Sequence, residues 1–87
     1  MGLGTVELVM EIEVAFGIKI SDERATGVRT VGDLAKLVET SVLEQRGPDA
    51  PIVGVLTHLR WIISTEFRIP MCEIHPGSRL QEDLRLD

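Results

Sequence analysis

The chain has 87 residues, a net charge of −5 and a hydrophobic fraction of 44%, with 3% aromatic residues and no Tyr. These numbers fit one small domain with a modest core of Leu, Ile and Val, and they argue against disorder. The acidic balance disfavours nucleic acid and favours basic partner surfaces. No apolar run approaches the roughly 20 residues of a membrane span, and Cys72 as lone cysteine leaves no internal disulfide, so the expected compartment is the reducing cytoplasm.

In chain order, Leu3 to Phe16 reads as a first helix, with Val6, Val9, Met10, Ile12 and Phe16 at helical spacing and Glu7 and Glu11 four apart on the exposed side. Gly17 supplies a stop where the left-handed conformation is cheap. Alternation in Gly17 to Ile20 is too short to predict a strand. Ser21 is an expected N-cap, with Asp22 and Glu23 in the turn after it, and Gly27 closes that short helix.

Thr30 opens the next helix, and Asp33 three residues on makes a capping-box pattern. Leu34, Leu37, Val38 and Val42 form its apolar stripe, which fades near Gln45 ahead of the breaker cluster Arg46-Gly47-Pro48-Asp49. Residues 46–54 read as a linker. A further helix follows on Val55, Leu56, Leu59, Ile62, Ile63 and Phe67, with Pro70 expected to end it. The rest reads as a loop through Met71, Ile74 and His75-Pro76-Gly77, with Ser78 and Gln81 as the capping box of a last turn to Leu84. The expected fold class is all-α, a four-helix bundle of three main helices and a short one.

Thr5-Val6-Glu7-Leu8, Phe16-Gly17-Ile18 and Thr30-Val31-Gly32-Asp33 closely resemble the second half of an acyl carrier protein, from just after its attachment serine. The segment from Leu59 to Asp87, with Glu82-Asp83-Leu84 near its end, resembles that family's first helix and long loop. The resemblance therefore implies a circularly permuted carrier bundle in one domain. Residues 1–45 would be the recognition helix through the last helix, 46–54 the linker, and 55–87 the first helix and long loop. A linker of roughly ten residues reaches up to about 33 Å when extended, enough to join the family's old termini. The competing arrangement is a domain-swapped homodimer.

In that family a serine in an Asp-Ser-Leu motif carries phosphopantetheine, whose thiol holds the acyl group. Asp87 takes the place of the motif's aspartate and Leu3 that of its leucine, so the serine's place falls at Met1 or Gly2, neither of which has a hydroxyl. The expectation is a non-enzymatic, carrier-like binding module without its own arm and with no cofactor. It would belong to fatty-acid or polyketide synthesis and dock on acyl-transfer or synthase enzymes with basic patches. The docking residues implied by the resemblance are Glu7, Glu11 and Glu13, on a surface thinned by Gly4 and Val14, which stand where the family often has acids. The alternatives are a structural or self-associating protein that keeps the fold, or a chain whose boundaries cut through a carrier's serine.

Other residues read more plainly. Ser21 and Ser78 are caps, Ser64 a surface or packing residue, and Ser41 only faintly echoes an acidic-Ser-hydrophobic motif. Cys72 and His75 are two ligands and not a metal site, with His58 no obvious third. A Ser78, His75 and Asp83 triad has nothing to position it.

Overall fold

A computed structural model describes residues 3–49 and 54–84. Helix α1 spans Leu3–Phe16, α2 Asp22–Thr26, α3 Val31–Arg46 and α4 Val55–Phe67, followed by a 3₁₀ turn at Met71–Glu73. Among the described residues there is no strand, only an isolated antiparallel bridge between Thr30 and Arg79. The described residues are thus helical, consistent with the all-α fold class expected from the sequence.

The helix boundaries follow local chemistry. Gly17 ends α1 at φ +66, where a Cβ would be strained. The Ser21 side chain accepts from the Arg24 N–H and starts α2. Thr30 and Asp33 exchange hydrogen bonds in a complete capping box at α3. That box leaves the Asp33 carboxylate accepting from the N–H groups of Thr30 (3.2 Å) and Arg29 (3.3 Å), which holds its pKa below the usual aspartate value.

Helices α1, α3 and α4 share one core, and it differs from the expected faces on α1. Leu8 and Ile12, one turn apart, are buried at 1% and 0% exposure, with Val9 and Phe16 half-buried beside them. Val6 and Met10 were expected on that stripe but point outward. At 100° per residue each lies about 200° from Leu8 or Ile12, so a helix that is apolar on several sides has only one side covered. On α3 the expected Leu34, Val38 and Val42 are buried and Leu37 half-buried, joined by Val31, Ala35 and Ser41. On α4 the buried set is Val55, Leu59, Ile62 and Ile63, with Leu56 and Phe67 partly covered.

Two connections are held from a distance. Between α1 and α2, the Lys19 N–H donates to Gln45 Oε1 (2.7 Å) and Gln45 Nε2 donates back to the Lys19 carbonyl (2.6 Å). Nearby, Arg46 donates to the Phe16 carbonyl and the Ile20 N–H donates to Glu13 Oε2. The end of α3 therefore pairs with this extended segment as a neighbouring strand would.

The segment after α4 departs most from expectation. The helix ends at Phe67, before Pro70 acts, with Arg68 in the left-handed region (φ 56, ψ 40). Arg60 reaches over to donate to the carbonyls of Ile74 (2.7 Å) and Met71 (2.8 Å), fixing the 3₁₀ turn on α4. Ile74 and Leu80 are buried. The expected Ser78–Gln81 capping box does not form. Ser78 Oγ accepts instead from the His75 N–H (2.9 Å), and Asp83 caps the last turn by accepting from the Arg79 N–H (2.8 Å). The Ser78 N–H, which Gln81 would accept in a capping box, donates to the His75 carbonyl instead (2.9 Å).

Candidate functional site

The solvent face of α1 presents two adjacent rows. Glu7 and Glu11, one turn apart, are exposed and form no ion pair among the described residues. Beside them run Val6, Met10 and Val14, also four apart, exposed at 37%, 59% and 82%. Three apolar side chains in line on one helix are an unpartnered stripe, not scattered surface residues.

Glu13 does not extend the Glu7–Glu11 row. It lies about 200° from Glu11 on the helix, is half-buried, and its carboxylate accepts from the Ile20 N–H at 2.8 Å. Its charge borders the apolar stripe on the opposite side, but one oxygen is committed to the α1–α2 connection. Sequence reasoning missed the Val6–Met10–Val14 row because Val6 and Met10 were counted toward the core, while Val14 was read only as a missing acid. Its signal was that α1 has more apolar positions than one buried face can hold.

The expected motif break at Asp87, Met1, Gly2 and Leu3 lies outside the described residues, except that Leu3 is the first residue of α1. The chain's four serines are all described. Ser21 is exposed, with its oxygen engaged as the cap of α2, and Ser64 is half-buried on α4. Ser41 is at 0% exposure on α3, and its Oγ has no hydrogen-bond partner. Ser78 is buried and accepts from the His75 N–H. Of these, only Ser21 is an exposed hydroxyl at a helix start beside an acidic residue, Asp22, and its oxygen accepts from the Arg24 N–H.

Cys72 and His75 are exposed and line a groove of about 450 Å3 with Ile69, Glu73, Asp83 and Leu84. Among the described residues no three metal-ligating side chains converge. The Asp83 carboxylate is taken by the Arg79 N–H (2.8 Å) and by Arg79 Nε (3.3 Å). That hydrogen bonding, the backbone donor first, holds its pKa below the usual aspartate value. The Ser78 hydroxyl meets the backbone of His75 and not its imidazole, so the paper triad has no proton path. His58 lies elsewhere, between Phe16 (ring centroids 4.9 Å) and Trp61 (6.4 Å). Among the described residues no helix is long and apolar enough to cross a membrane.

No family model matches the chain. No solved structure matches it. Among curated proteins, an acyl carrier protein of Prochlorococcus marinus (strain MIT 9515) is 60% identical over 37 residues, which make up 42% of this chain and 46% of that protein. The chain thus spans a little under half the length of this relative. Within that stretch it is similar to an acyl carrier protein, and its helices are compatible with that likeness.

Proposed function

We propose that this chain is an acyl-carrier-like binding module, not an enzyme, whose α1 face docks on acyl-transfer or synthase enzymes in fatty-acid or polyketide synthesis. The observation that carries the reading is the exposed Val6–Met10–Val14 stripe flanked by Glu7 and Glu11. A partner that fits it offers a shallow apolar surface beside basic side chains. The 60% identity over 37 residues to a carrier protein supports the same class of partner. In this reading the two sequence blocks are a carrier bundle in permuted order, residing in the cytoplasm.

The reading also holds that the chain does not carry phosphopantetheine on Ser21, Ser41, Ser64 or Ser78, whose oxygens are capping, buried or set within a helix. Intact mass after incubation with a phosphopantetheinyl transferase and coenzyme A should be unchanged. A gain of one arm would overturn that part of the proposal and leave docking standing.

Docking itself is tested by Glu7→Lys with Glu11→Lys, and separately by Met10→Gln, which removes apolar contact from the stripe without adding charge. Each should weaken binding to a synthase or acyltransferase at least tenfold, and the charge reversal should also flatten the salt dependence of the on-rate. Unchanged affinity in both would favour the second reading, a structural protein that keeps the fold. That reading draws on Val14 and Gly4 standing where carriers often have acids.

A further inference from the structure

We infer that residues 54–84 form a unit that docks on residues 3–47 as one protein docks on another, so that the receiving surface accepts the same unit from a second copy of this chain. The observation is a division of labour in the polar contacts. Among the described residues, every side-chain hydrogen bond and every ion pair stays within one of the two units.

In the first unit, Gln45 is tied to Lys19, Arg46 to Phe16, Glu13 to Ile20 and Arg24 to Glu44. In the second, Arg60 is tied to Met71 and Ile74, and Arg79 to Glu82 and Asp83. Between the units there are apolar burial, the Phe16–His58 ring contact at 4.9 Å and a short backbone seam. Val31 N–H donates to the Ser78 carbonyl (3.0 Å), Gly32 N–H to Pro76 (2.7 Å) and Leu80 N–H to Arg29 (2.8 Å). The apolar part sets Val55, Leu59, Ile62 and Ile63 of α4 in the common core with Leu8, Ile12, Val38 and Val42.

An apolar centre, a few backbone hydrogen bonds and no cross-seam charge pairs are the makeup of an interface that a second copy can satisfy equally well. Nothing in those contacts depends on which chain supplies the second unit. The covalent link is residues 47–54, whose terminal glycines adopt φ +90 and +75 with nothing within 4 Å of the position of a Cβ. A link of only eight residues between the two units gives an effective concentration of about a millimolar. The single chain therefore pairs with itself at micromolar concentration, and exchange competes near a millimolar.

Two experiments test this. Deleting residues 47–54 fuses α3 to α4, and a continuous helix cannot pack against itself. The variant should elute in size exclusion with light scattering as a particle of two chains with wild-type helical circular dichroism. A folded single-chain particle would overturn the inference. If the deletion fails to fold, the full-length chain decides.

Thr30 and Arg79 face each other across the bridge as a non-hydrogen-bonded antiparallel pair, where Cα atoms lie about 4.5 Å apart, within disulfide range. One chain carries Thr30→Cys, the other Arg79→Cys, both with Cys72→Ser, and the two are unfolded and refolded together under oxidation. With each chain at the stated concentration, the mixed disulfide should rise from about 1% of pairs at 10 µM to about a third at 1 mM, as the tether's effective concentration requires. Its absence at 1 mM, or a yield no greater than that of the two like-with-like disulfides, would overturn the inference.

Discussion

Replacing Ser41 by Ala should stabilise the protein, against the usual direction of core substitutions. Ser41 is at 0% exposure in the middle of α3, and its Oγ is buried without a hydrogen-bond partner. An unsatisfied buried hydroxyl costs about 1–3 kcal/mol, and alanine adds a few tenths through helix propensity. Against this, the void left by one oxygen, about 15 Å3 at roughly 24 cal/mol per Å3, costs about 0.4 kcal/mol. The balance is a gain of about 1–2 kcal/mol. For a domain of this size each kcal/mol moves Tm by about 4–8 °C, well above measurement error. Urea unfolding should show a higher midpoint at unchanged slope, the signature of a native-state effect. A neutral or destabilised Ser41→Ala would refute the reasoning, because it would mean that the hydroxyl is satisfied in solution, by a water or by the Leu37 carbonyl one turn back.

Three further outcomes follow from the same geometry. Arg60→Met keeps most of the stem but removes two charge-assisted bonds to the Ile74 and Met71 carbonyls. It should cost about 2–3 kcal/mol in urea unfolding, with hydrogen exchange rising first in residues 69–75. Gly32→Ala should destabilise despite a propensity gain of about 1 kcal/mol, because its Cβ would sit 3.0 Å from the Pro76 carbonyl oxygen, already fixed by the Gly32 N–H at 2.7 Å. A more stable variant would show that the loop yields. Asp33 and Asp83 have lowered folded pKa values, so their contribution is present above the unfolded value of about 3.9 and is lost as pH falls below it through the folded values. Thermal melts should show Tm falling below about pH 4, and Asp33→Asn should reduce that fall while lowering Tm at pH 7.

Helix starts and stops were legible because they are settled within four residues. Ser21 caps α2, Thr30 and Asp33 close a reciprocal box, and Gly17 takes φ +66, each from side chains adjacent in the sequence. Facing is a different kind of property. On α1, Val6, Leu8, Val9, Met10, Ile12, Val14 and Phe16 spread round about two-thirds of the turn, leaving one gap of about 120° that holds Glu7 and Glu11. Which of them is covered depends on where α3 and α4 lie. The Leu8–Ile12 pair was covered and the Val6–Met10–Val14 row was not, and the uncovered row is what the docking proposal rests on. The excess was visible in the sequence, but its direction was not.

The segment from Arg68 to Leu84 shows why the remainder was illegible. Ser78 and Gln81 satisfy the capping-box pattern, yet the Ser78 N–H goes to the His75 carbonyl and its hydroxyl to the His75 N–H, so Ser78 belongs to the turn before it. Asp83 takes over the Arg79 N–H with a full negative charge, and Arg79 returns two guanidinium contacts to it. Gln81 loses its box because the Ser78 N–H it would accept is taken by the His75 carbonyl, while Asp83 caps an Arg79 held in the Thr30–Arg79 bridge. That bridge joins positions 49 residues apart, and the Arg60 bonds to Met71 and Ile74 span 11 and 14. The conformation of this loop is therefore imposed by α3 and α4, whose ends it fastens together. Loosening the seam at Gly32 should accordingly disturb the Asp83 cap more than any substitution of Gln81 does.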